Sequence, residues 1–143
     1  MVSYKNILFT LIAVLCFSSP SQATARKINN IIIIESGLNA NPEIEYLNKG
    51  CALFKPTIKQ IKNYLSKAYP APKQFGLHER WSSCYASGTA EFENFGTIKW
   101  TVGSGGEGAI KWNNDEYSYV FYKHNRWFDP TACTYGLGDK GEC

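Results

Sequence analysis

The chain reads as an α+β domain in which one main helix packs on an antiparallel β-meander of about five strands, the whole stapled by disulfides. Three observations carry this expectation. KPTIKQIKNYLSKAY repeats apolar residues at helical spacing and is bracketed by prolines. From Cys84 onward, apolar and polar residues alternate in runs of strand length. Four cysteines, Cys51, Cys84, Cys133 and Cys143, remain once the N-terminal segment is set aside, an even number that in an exported chain reads as structural bridges.

That N-terminal segment reads as an export signal. Lys5 supplies positive charge, Ile7 to Phe17 an apolar run too short to span a bilayer, and Ser21-Gln22-Ala23 or Ala23-Thr24-Ala25 a small-residue cleavage site. Residues 1–23 are expected to be removed and 24–143 to form a single domain, exported to the periplasm or secreted. Cys16 raises a lipoprotein alternative, but Leu15 stands where a small residue is required, so no stable membrane anchor is expected. Loss of Lys5 leaves fourteen basic against twelve acidic residues, too weak a balance for nucleic acid, which demands a dense basic stripe.

The elements follow in order. Ile31 to Ile34 are β-branched and predict a buried strand, with Gly37, Asn39, Asn41 and Pro42 ending it and an edge of the sheet as the place it can extend. PEIEYLNKG predicts a short helix closing at Gly50. In the main helix, which starts at Pro56 or Thr57 and stops before Pro70, Ile58, Ile61, Leu65 and Ala68 form the apolar stripe and Tyr64 and Tyr69 widen it. Lys59, Lys62, Asn63 and Lys67 fall opposite, as a solvated face.

In CYASGTAEF, Cys84, Ala86, Gly88, Ala90 and Phe92 share one side, as do Ile98, Trp100 and Val102 in TIKWTV, and Gly108, Ile110 and Trp112 in EGAIKW. EYSYVFYK sets Tyr117, Tyr119 and Phe121 against Ser118, Val120 and Tyr122. Lys123 to Arg126 reads as a tight turn into a last strand holding Trp127 and Phe128, closed by Asp129-Pro130. Four cysteines allow three connectivities; the preferred one joins Cys51 to Cys84 across the helix and closes the short loop from Cys133 to Cys143.

GTIKWTVGSGGEGAIKW, residues 96–112, carries a near repeat around a glycine-rich stretch. A phosphate loop would need a helix after GSGGEG, and the following residues alternate as a strand instead. The segment is therefore a hairpin that sets Trp100 opposite Ile110 and Ile98 opposite Trp112. Lys99 and Lys111 then share the other face, where solvent, Glu91, Glu93 or Glu107 has to accommodate them.

No catalytic constellation emerges. His78 beside Glu79, Ser82 and Ser83 suggests a hydrolytic cluster, but neighbours on an extended segment point apart and no nucleophile elbow is present. The isolated His78 and His124 show no metal-ligand spacing, so neither metal nor cofactor is expected. The positive signal is aromatic: four tryptophans, nine tyrosines and eight phenylalanines are residues that fill cores, carry interfaces and stack on sugars. Tyr117, Tyr119, Tyr122, Arg126 and Trp127 are the candidates for a binding strip. A loop from Val102 to Glu107, including Ser104 and Gly105, or the turn at His124 and Asn125, would suit insertion into a cleft.

With its leader, single helix and cysteine-stapled aromatic meander, including WSSCYASGT and RWFDPTACTYG, the chain resembles small exported proteins of Gram-negative bacteria. Some of these serve as periplasmic immunity proteins against cell-wall-attacking effectors. The resemblance implies an inhibitor that occludes a secreted enzyme and has no chemistry of its own. The alternative is a glycan- or peptidoglycan-binding module using exposed Trp100, Trp112 and Trp127; a small secreted hydrolase built on His78 or His124 is the third reading.

Overall fold

A computed structural model describes residues 27–74 and 80–132. The leader, His78, Cys133 and Cys143 lie outside the described residues, and with them the cleavage site, the second bridge and the His78 cluster.

The fold is α+β: two helices and six strands, the strands forming one antiparallel sheet. In chain order the elements are β1 (Ile28–Asn39), α1 (Glu45–Cys51), α2 (Ile58–Lys67), β2 (Tyr69–Pro70), β3 (Cys84–Phe92), β4 (Gly96–Gly103), β5 (Glu107–Lys111) and β6 (Tyr117–Phe121). The spatial order is β1-β3-β4-β5-β6-β2. Thus β3 to β6 form the meander, and the chain before it supplies both edges.

Helix α2 starts where its capping chemistry dictates. The Thr57 hydroxyl accepts from the Gln60 backbone N–H while the Gln60 side chain accepts from the Thr57 N–H, a reciprocal capping box. Ile61, Tyr64 and Leu65 are buried to the last atom, and Ala68 follows them inward. Ile58, expected in the same stripe, is exposed: it occupies the first turn, before the helix has met the sheet.

The predicted alternation sorts the meander into two faces. Ala86, Ala90, Ile98, Trp100, Val102, Ile110 and Val120 point into the core with α2. Trp100 pairs with Ile110 across β4 and β5 as the sequence predicts, and Lys99 pairs with Lys111. The like charges are eased by Asp115, whose carboxylate lies 2.8 Å from Lys111 Nζ, rather than by any of the three glutamates. The Trp100 ring lies over Gly88, its partner on β3, where a Cβ would sit 2.5 Å from the indole. Trp112 is half-buried, edge-on to Phe92 and tilted against Phe95, and its indole N–H donates to Ser118 Oγ at 2.8 Å.

Three expectations are corrected. The isoleucine run extends an edge of the sheet, the alternative its sequence allowed, but it is not buried throughout: Ile31 and Ile33 pack on the core, Ile32 and Ile34 are 57% and 65% exposed, and register shifts interrupt β1 three times. Such irregularity blunts an edge against further pairing. Among the described residues no strand follows the 123–126 turn; instead Trp127 returns beneath the sheet, buried against Phe54 and Tyr64. The helix in PEIEYLNKG runs one residue past Gly50 to Cys51.

That last residue matters. Cys51, ending α1, is bonded to Cys84, which opens β3, and both are fully buried. The preferred pairing for these two cysteines holds, and the bridge ties the helical half of the chain to the meander. A buried structural disulfide of this kind belongs to an oxidising, non-cytoplasmic compartment. No helix among the described residues is long and apolar enough to cross a membrane.

Candidate functional site: a cleft on the open sheet face

Among the described residues, helices pack on one face of the sheet, and the other face is left open. There β6 presents Tyr117, Tyr119 and Phe121 in register with Lys111, Ala109 and Glu107 of β5. Strand β2 lies along β6, its Tyr69 ring edge-on to Phe121 at 5.8 Å, and Ala71 N–H donates to the Tyr119 carbonyl. These elements enclose an apolar cleft of about 260 Å³ walled by Pro72, Trp81, Tyr85, Tyr119 and Phe121, with Glu107 among its lining residues. Lys73 Nζ stands 5.8 Å from the centre of the Tyr119 ring.

Glu107 is the unusual member. Its carboxyl folds back over Gly103, where any Cβ would collide with it. Oε1 accepts from the Ser82 N–H at 3.0 Å, while Oε2 is buried and, among the described residues, has no hydrogen-bond partner. Burial pushes this carboxyl up from 4.5 to about 7; the Asp129 charge adds to the rise, and the Ser82 N–H, its own backbone N–H and Arg80 oppose it. Burial, with the charges of Glu107 and Tyr69 adding to it, holds Tyr64 well above the usual phenol value. Its hydroxyl donates to the Gly106 carbonyl from the core side.

Beside Glu107, the GSGG stretch is no free protrusion. Ser104 is 2% exposed and Gly105 is buried too. Ser104 Oγ donates to Asp129 Oδ1 at 2.6 Å and lies 2.7 Å from Ser82 Oγ, while Thr131 Oγ1 reaches both Ser82 Oγ and Asp129 Oδ1. The Trp127 indole N–H donates to the Ser104 carbonyl. Asp129 also accepts from the Thr131 N–H, the local turn expected of it. Hydroxyl and carboxylate here bind each other and lock three chain segments together. Ser104→Ala is expected to cost about 1–2 kcal/mol, read as a lower urea midpoint, and an unchanged midpoint would remove the network's structural role.

The predicted binding residues therefore divide. Glu107 and Tyr119 meet at the cleft, and Tyr117 extends its face with Lys111 Nζ 5.7 Å from its ring centre. Ser104 and Gly105 become internal. Asn125 turns inward, its amide donating to the Tyr122 carbonyl, and Trp127 is core. His124 and Arg126 are exposed on a separate groove beside α2. Trp81, Tyr85 and Phe121 are cleft residues the sequence reading missed as a group. Tyr85 and Phe121 carry a usable signal, since each occupies the non-core parity of its strand; Trp81 lies ahead of β3, where no periodicity assigns it a face. Among the described residues, no group of three His, Cys, Asp or Glu is placed to hold a metal.

Set against known proteins, the chain matches no family model, no curated protein and no solved structure. The class is thus defined by fold and site alone: a disulfide-bonded α+β domain with one open aromatic sheet face.

Proposed function

We propose that the mature chain is a periplasmic inhibitor of the immunity type, which binds a secreted, cell-wall-attacking enzyme and blocks its active site without chemistry of its own. The observation that carries this reading is the cleft: preformed, apolar, ringed by aromatic side chains and floored by strands β3 to β6. Such a pocket accepts an anchoring side chain from a partner and returns much of the binding energy of a whole interface. The sequence-based picture of a glycine tip inserted into the enzyme gives way to the reverse arrangement, in which the enzyme inserts into the sheet face.

The test is co-purification with the product of the neighbouring gene and protection on periplasmic co-expression. Tyr119→Ala should weaken that complex at least about tenfold, as loss of a central aromatic does, with the unfolding midpoint little changed because the residue lies on the solvent face. No complex and no protection would count against the inhibitor reading.

The glycan alternative survives in altered form. Trp100 and Trp127 are core and Trp112 is half-buried, so a sugar would have to stack on Trp81 and Tyr117, both exposed at the open face. Retention on purified peptidoglycan, abolished by Trp81→Ala, would favour it over the inhibitor.

A further inference from the structure

We propose that a second surface, the groove between α2 and the 122–126 turn, docks an acidic segment of the protein partner. The proposal rests on the reading of the chain as a protein-binding protein, but its residues are distinct from those of the cleft.

The groove has a volume of about 790 Å³, within the range of sites that hold a ligand. Four of its lining residues are Lys59 and Lys67 from the helix and His124 and Arg126 from the turn, and no acidic residue among the described residues lines it. All four are exposed, and Lys27, Lys49 and Lys111, which carry ion pairs, lie outside the groove. A face that reads as merely solvated on the helix alone is thus faced by the Arg126 guanidinium, with His124 beside it, from a second element far along the chain, and the charge of Lys59, Lys67 and Arg126 calls for an anionic occupant.

Both walls are held in place before anything binds. Gln60 Nε2 donates to the Arg126 carbonyl at 2.7 Å, fixing the turn to the first turn of α2. Asn125 Nδ2 closes the turn on the Tyr122 carbonyl. The Tyr122 ring lies between, edge-on to both Tyr64 and His124, with Lys67 Nζ 5.9 Å from its centre. A preformed site loses little entropy on binding. The cations occupy one groove rather than a stripe along the molecule, and the mature chain is nearly neutral, which favours an aspartate- or glutamate-rich loop over a polynucleotide.

The experiment titrates the full mature chain into a fluorescein-labelled hexaglutamate peptide and follows anisotropy. Saturable binding is expected, weakening as salt rises to about 150 mM. The double charge reversal Lys59→Glu/Arg126→Glu should lower affinity at least about tenfold, and Lys67→Ala should lower it less. Lys27→Glu, just ahead of the edge strand β1 and outside the groove, and Tyr119→Ala, in the cleft, should leave it unchanged. Because the cleft variant reads the inhibitor interface separately, loss of one site does not imply loss of the other. Equal binding by the charge-reversed protein, or a single-stranded oligonucleotide of matching charge binding as tightly as the peptide, would overturn the proposal.

Discussion

Replacing both Cys51 and Cys84 by alanine should lower stability by about 3–4 kcal/mol, as read by urea denaturation with the remaining cysteines left intact. The two residues are 33 apart in sequence, and closing a loop of that length in the unfolded chain removes conformational entropy worth about 3.7 kcal/mol in the chain-entropy account. The loop contains α2, which carries Ile61, Tyr64 and Leu65 to the core, so the bridge ties to the meander a segment that the core needs. For a domain whose total stability is of order 5–15 kcal/mol, this is a large fraction. An unchanged midpoint in the double variant would show that packing alone holds α1 on β3.

The second large effect is expected at Glu107, through pH. Its carboxyl titrates near 4.5 when unfolded and at about 7 in the fold, so the folded protein holds a proton that the unfolded chain has already released. The group's contribution is therefore most favourable below about pH 4.5. It declines as pH rises through 7, at up to about 1.4 kcal/mol per pH unit, for a total of about 3 kcal/mol. Glu107→Gln retains an oxygen for the Ser82 N–H but cannot ionise. The variant should match the natural protein in stability near pH 4.5 to 5 and exceed it at pH 8. Denaturation curves at those two pH values decide the matter: parallel pH slopes in the two proteins would mean that the carboxyl is solvated in the fold.

Glu107 also links the fold to the cleft. The carboxyl is buried because Gly103 lets it fold back and the Ser82 N–H holds it there, within reach of the opposing charges of Asp129 and Arg80. A partner seated on Tyr119 and Phe121 would strip further water from the cleft and reinforce the neutral form.

Much of this architecture is legible in the residues themselves, because helix and strand periodicities are local. Ile61, Leu65 and Ala68 announce a helix and its inward face. Alternation from Cys84 to Phe121 announces strands, and the matched positions of Trp100 and Ile110 identify the register of one hairpin. The run of four isoleucines carries no such parity, since a strand of one residue type has two identical faces, and only its place at the sheet edge leaves Ile32 and Ile34 in water. In the same way Ile58 obeys the helical period yet is exposed, because burial depends on where the neighbouring element begins.

What the sequence by itself determined is the class of fold, the main helix, the alternating strands and the two cysteines that bracket the helix, each through short-range pattern or counting. The tertiary structure alone decided what lies inside. Ser104 and Gly105 read as an exposed tip and are buried, because Ser82, Trp127 and Asp129 close on them from more than 20 positions away. Likewise the cleft draws Pro72, Trp81, Tyr85, Tyr119 and Phe121 from four separate stretches, and the basic groove joins a helix to a turn. Burial and charge convergence are properties of long-range packing, and no window along the chain contains them.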